Sequence, residues 1–136
     1  MFNIIIATHG QLAEEFLNVL QSLFGHLNQI EALGLKDQGV VSFGNKVDQL
    51  LATTANQSVL VLCDLAGGTP FNEFAKRSNK YSNDFFLFGG VSLPVLIEAL
   101  NLRMQNQSLD QVVEKLQQLT PLTMFKAQDR KNAEDE

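Results

Sequence analysis

The sequence predicts an α/β fold: an open, mainly parallel sheet between layers of helices, a three-layer α/β/α sandwich. Two observations carry this. Short apolar runs rich in β-branched residues alternate along the chain with stretches whose apolar residues recur every three or four positions, and those periods belong to strands and helices respectively. The strong strand-like runs lead into glycine turns, at Gly10, Gly67-Gly68 and Gly89-Gly90. Strands that alternate with helices form βαβ units, whose strands run parallel and whose crossovers are right-handed.

Taken in order, Phe2 to Ala7 reads as a buried strand. After Gly10 the period changes, and Leu12, Phe16, Val19, Leu20, Leu23 and Phe24 share one helical face that Gly25 can end. Ile30 to Leu35 is a shorter strand, and Phe43, Val47, Leu50 and Leu51 mark a second amphipathic helix. Val59 to Leu62 is the second strong strand, running into Cys63-Asp64 and the Gly67-Gly68 turn. Thr69 suits the N-cap of the next helix and Pro70 its first position. Asp84 to Phe88 is a fourth strand. Leu93, Leu96, Ile97 and Leu100 give one further helix, and Leu109, Val112, Val113 and Leu116 another. Pro121 stops the chain, and Leu122 to Phe125 has the makings of a last short strand. Residues 1–126 are expected to form one domain, and 127–136 a charged, disordered tail.

Composition excludes several classes. The chain has 136 residues, 45% of them hydrophobic, which suffices for a real core. No apolar run reaches the roughly 18 to 20 residues of a bilayer span. The opening run lacks the basic flank and cleavage site of a signal peptide, so the expected location is cytoplasmic. A single cysteine, Cys63, rules out a disulfide framework and reads as a small buried hydrophobe. The net charge of −5 argues against nucleic acid as the main partner. No ligand set for a metal is evident, and no cofactor is expected.

In an open α/β sheet, ligands bind beyond the carboxyl ends of the strands, where strand order reverses. The loops to inspect are therefore Thr8-His9-Gly10, Asp64 to Pro70 and Gly89 to Pro94. His9 stands directly after a buried strand, beside a glycine that leaves the imidazole uncrowded. An inert, packed histidine is the plain alternative. Asp64 ends the other strong strand, and if the two strands are neighbours its carboxylate can hold one ring nitrogen and leave the other with a free lone pair. A turn or capping carboxylate is the alternative there. Gly67, Gly68 and Thr69 form a turn into a helix, where backbone N–H groups and a hydroxyl can meet phosphate oxygens. No lysine follows the glycines, so this is not a Walker loop. His26, near a helix end, reads as a surface residue. Together these parts suggest an imidazole that takes up a phosphoryl group and gives it away again.

Three pieces of the chain, Ile4 to Gly10, Asp64 to Asn72 and Gly89 to Pro94, closely resemble the IIA component of the mannose-family (mannose/fructose/sorbose) phosphotransferase system, in order and in spacing. The resemblance covers about residues 1 to 125. It implies that His9 is phosphorylated by the phosphocarrier HPr, that Asp64 pairs with it, and that Thr69 stands near the phosphoryl group. It further implies onward transfer to a IIB component, which phosphorylates sugar at the membrane IIC/IID complex. Because the chain ends soon after Phe125, IIB is expected as a separate chain. The family fold is a homodimer that exchanges a C-terminal antiparallel strand, for which Leu122 to Phe125 is the candidate. Ser92 stands where relatives often have Asn, which leaves the hydrogen bonding of that loop open. Two rivals remain: a histidine carrier of a dihydroxyacetone kinase system, and a regulatory module switched by phosphorylation of His9. The sugar itself is not written in this chain.

Overall fold

Strand β1 (Asn3–His9) occupies the interior of a four-stranded, all-parallel sheet of order β2-β1-β3-β4, in which β2 is Ile30–Leu35, β3 is Val59–Cys63 and β4 is Phe85–Phe88. This is a computed structural model, and it describes residues 1–127. Side chains alternate across the pleat. Ile4, Ile6, Leu60 and Leu62 point to one face, and Ile5, Ala7, Val59, Val61 and Cys63 to the other. Both faces are covered, so the central strands are apolar without interruption rather than alternating.

Helices α1 (Leu12–Phe24), α4 (Leu93–Met104) and α5 (Leu109–Gln117) cover the first face with Ala13, Leu20, Leu96, Leu100, Val112 and Leu116. Helices α2 (Gly39–Thr53) and α3 (Thr69–Ala75) cover the second with Phe43, Val47, Leu51 and Phe74. The predicted three-layer α/β sandwich is therefore what forms. The chain steps from β1 outward to β2, then back past β1 to β3. Two right-handed crossovers in opposite directions put α1 and α2 on opposite faces. The order reverses between β1 and β3, so the loops after these strands flank the switch point.

The opposite edge of the sheet is closed by Arg103 of α4, a buried residue that the sequence did not single out. Its guanidinium donates to the carbonyls of Phe2 (3.1 Å), Gln29 (2.9 Å) and Asn28 (2.7 Å), which gathers the entries of β1 and β2 onto one side chain. Among the described residues no helix is long and apolar enough to cross a membrane.

Three expectations shift. The first strand continues past Ala7 to His9, because β2 supplies partners as far as Leu35. Thr69 is not the cap of α3 but its first residue. Gly68 is the N-cap, with φ −74° and ψ 169°, and its carbonyl accepts the first helical bond from Asn72 N–H at 2.9 Å. Pro70 accordingly sits one position further in. Leu122 to Phe125 forms no strand within the chain: the segment has no regular structure, and Leu122, Met124 and Phe125 are exposed. Among the described residues, one side of β4 has no strand neighbour. Of the expected tail, residues 128–136 lie outside the described residues.

Candidate functional site

His9 is the last residue of β1, and Asp64 follows the last residue of β3. Because the two strands are parallel neighbours, both residues emerge on the same edge. His9 Nδ1 lies 3.0 Å from Asp64 Oδ2, and that same oxygen accepts the His9 backbone N–H at 3.1 Å. The other carboxylate oxygen accepts the Leu65 N–H at 3.0 Å. One side chain thus grips the ring, the main chain of the ring's own residue and the start of the next loop. An ionised carboxylate can only accept, so the proton of this contact belongs to Nδ1, and Nε2 carries the free lone pair. The His9 side chain is 43% exposed and the Asp64 side chain 14%, so the ring is open to a partner while its anchor is largely shielded.

The Gly67-Gly68 turn lies against the ring. A Cβ at Gly68 would stand 2.9 Å from His9 Cε1, closer than packing allows, so only glycine lets the imidazole settle there. Cε1 joins the two ring nitrogens, so the turn lies against the edge of the ring between them. Gly67 has φ +80°, the left-handed region. The Gly68 N–H closes the turn onto the Leu65 carbonyl at 3.2 Å, so Gly68 contributes its missing side chain rather than a donor. Thr69 follows directly, half-buried, and its hydroxyl makes no hydrogen bond among the described residues. Of the residues singled out by sequence, His9, Asp64, Gly67, Gly68 and Thr69 all lie on this one edge. His26 does not: it is exposed beyond Gly25, with Nε2 3.0 Å from Asn28 Oδ1.

The surrounding residues brace this arrangement. Asn72 Nδ2 donates to the Gly67 carbonyl at 2.9 Å and pins the turn to α3. In the third loop, Gly90 N–H reaches the Asp64 carbonyl at 3.1 Å and Val91 N–H the Cys63 carbonyl at 3.0 Å. Asn72 and Thr8 were not given roles from sequence. Asn72 lies within the quoted motif, and its amide could have been suspected. Ser92, the N-cap of α4, makes no side-chain cap bond, and its hydroxyl oxygen is buried with no partner among the described residues. Cys63 is fully buried, and its thiol is pushed up to about 12 by burial and by the neighbouring Asp64 charge, which makes it a packing residue and not a nucleophile. No group of three or more His, Cys, Asp or Glu among the described residues is placed to hold a metal ion.

Known proteins resemble this chain in sequence and fold. Residues 3–117 match the EIIA-man family, described as the PTS system fructose IIA component. The chain is 31% identical to the mannose-specific EIIAB component of the PTS of Escherichia coli K12 over 114 residues, 81% of this chain and 34% of that protein. It therefore spans only about a third of that relative's length. It is likewise 31% identical to the fructose-specific EIIA component of Bacillus subtilis over 105 residues, 76% of this chain and 71% of that one. Its fold is similar to the solved mannose/sorbose-specific IIA subunit from Enterococcus faecalis, with a TM-score of 0.78 at 27% identity, over 92% of this chain and 97% of that one. A match that runs through β1, the two site loops and all five helices leaves one conclusion: the chain belongs to the mannose-type EIIA family of the phosphotransferase system.

Proposed function

We propose that this protein is a cytoplasmic phosphoryl carrier of the phosphoenolpyruvate-dependent sugar phosphotransferase system, taking phosphate from HPr on His9 and passing it to a separate EIIB. The observation that carries the reading is the contact of Nδ1 with Asp64, which commits one ring nitrogen and leaves Nε2 uncommitted on a side chain that is 43% exposed. In the forward step the Nε2 lone pair forms a bond to the phosphorus of phospho-HPr. The phosphorus–nitrogen bond to the donor's imidazole breaks, and its electron pair returns to that ring. Positive charge grows on the His9 ring as the new bond forms, and Asp64 lies where it stabilises that charge. The Thr69 hydroxyl and backbone N–H groups around Gly67 are the donors available to the phosphoryl oxygens, while Gly68 keeps that side of the ring clear. The step needs no cofactor. Transfer to EIIB repeats it with His9 as the leaving group, and the membrane EIIC/EIID complex is reached only through EIIB.

The working unit in this reading is a homodimer in which Leu122 to Phe125 of each chain pairs with the open side of β4 in the other. Nucleic acid has no part in it. The test is to incubate the protein with phosphoenolpyruvate, enzyme I and HPr and to map the phosphate. An acid-labile, base-stable phosphate on His9 that chases onto EIIB is the expected result. No label, or label that never leaves for EIIB, overturns the carrier reading; the second outcome would favour a regulatory module.

A further inference from the structure

We propose that Thr8 is a positioning residue for the His9 ring, holding the residue's main chain from the side opposite Asp64. The inference rests on the reading of His9 as the phosphoryl acceptor. The backbone N–H of His9 is held by Asp64 at 3.1 Å. Its carbonyl accepts the Thr8 hydroxyl at 3.1 Å. The next N–H, that of Gly10, is fixed to the Leu35 carbonyl at 2.7 Å. Thr8 Oγ1 also accepts the Ala13 N–H of α1 at 2.7 Å. A hydroxyl has a single proton, so a proton aimed at the His9 carbonyl turns a lone pair toward Ala13, and each bond orders the other.

Thr8 is fully buried, and Gln11, the N-cap of α1, makes no side-chain cap bond. The Thr8 hydroxyl therefore serves a helix start whose own cap is absent, from five residues upstream, and in doing so ties α1 to the carbonyl of His9. Successive strand residues face opposite ways, so Thr8 points to the α1 side while His9 points to the α3 side. Thr8 cannot touch the phosphoryl group and acts only through the ring it holds. The competing view is that Thr8 is a helix cap and nothing more.

The two views separate on Thr8→Val, which keeps the shape and removes the hydroxyl, with Thr8→Ser as rescue. In the unphosphorylated protein, nitrogen NMR of the imidazole should show one tautomer, Nδ1–H, for wild type and Thr8→Ser, and a mixture for Thr8→Val. Transfer from phospho-HPr should fall about tenfold or more in turnover for Thr8→Val, with the KM for phospho-HPr within about twofold. Ser108→Ala is the control for a lost cap: Ser108 Oγ accepts the Gln111 N–H at 3.2 Å, far from His9 in the fold, and its loss should leave tautomer and turnover unchanged. A single tautomer and wild-type turnover in Thr8→Val, or equal slowing in Ser108→Ala, overturns the proposal. If Thr8→Val does not fold, Thr8→Cys, a weaker donor and acceptor, is read the same way. Should wild-type His9 accept no phosphate at all, the carrier reading fails by itself, while the tautomer comparison still decides what Thr8 does.

Discussion

Asp64→Asn tests the site most sharply, because the three bonds that Asp64 accepts cannot all survive it. Asparagine offers one acceptor oxygen. The Oδ2 position serves two donors from His9 and the Oδ1 position only one, from Leu65, so the amide should turn its oxygen toward His9. Its NH2 then meets the Leu65 N–H head on, in an exposed loop that can give way. The fold survives, at a cost of about 1 kcal/mol or less, because water can take up the exposed Leu65 N–H. The ring keeps its tautomer but loses the negative charge that offsets the growing imidazolium. A hydrogen bond to a charged group is worth about 1 to 1.5 kcal/mol more than one to a neutral group, which at about 1.4 kcal/mol per decade is a roughly five- to tenfold slower transfer. The assay is a single-turnover transfer from phospho-HPr, followed by rapid quench, beside a urea unfolding curve. A rate within about threefold of wild type would refute the charge argument. So would full slowing with a scrambled tautomer, which would assign the loss to orientation alone.

Other expectations follow from neighbouring features. His9→Ala should abolish phosphate acceptance and leave the urea midpoint close to wild type, since the ring is largely outside the core; a collapsed fold would contradict this. Two serine N-caps should behave differently. Ser108 completes a capping box with Gln111, so Ser108→Ala should cost about 1 kcal/mol, whereas Ser92 Oγ has no partner and Ser92→Ala should be neutral or stabilising in the same unfolding assay. Glu73 is buried between Lys76 and Arg77, and the Lys76 ammonium, with help from Arg77, holds its carboxyl below the ordinary glutamate range against the pull of burial. A depressed folded value means stability that is present above the unfolded pKa and lost as pH falls through the folded one. Glu73→Gln should therefore be less stable than wild type at about pH 7, and the gap should close as acid protonates the wild-type side chain, in unfolding curves taken down to about pH 3. A gap that persists unchanged at the acid end would show that packing, not charge, is lost.

What could be read from sequence divides along physical lines. Phe2 to Ala7 and Val59 to Leu62 announce themselves because strands buried on both faces are apolar almost throughout. The extension of β1 over Thr8 and His9 is silent, because polar residues join the ladder only through pairing with β2, which is far away in sequence. The start of α2 at Gly39 is equally silent: its N-cap, Gln38, makes no side-chain cap bond, and only the face from Phe43 onward shows the period. The convergence of His9 and Asp64 was legible from topology, since neighbouring parallel strands end on one edge. That one carboxylate oxygen serves both ring and backbone was not, and neither was Thr8, whose role depends on where a hydroxyl proton points. Leu122 to Phe125 reads as a strand from its apolar residues, but composition cannot supply the neighbour a strand needs, and the segment has no regular structure. Arg103 gives no signal, because any arginine near a helix end looks like a solvated one until its three carbonyls are seen.

The bare side of β4 reaches beyond catalysis, into solubility. An edge strand made of Phe85, Phe86, Leu87 and Phe88 is, among the described residues, open on one side and so a template for an extended chain that drifts by, and Leu122, Met124 and Phe125 are apolar residues exposed elsewhere on the same chain. The sticky rung and the sticky thread are two hazards, each dangerous while it stays uncovered. Trimming the thread to tidy the C-terminus would leave the rung behind, ready to recruit whatever apolar strand comes next.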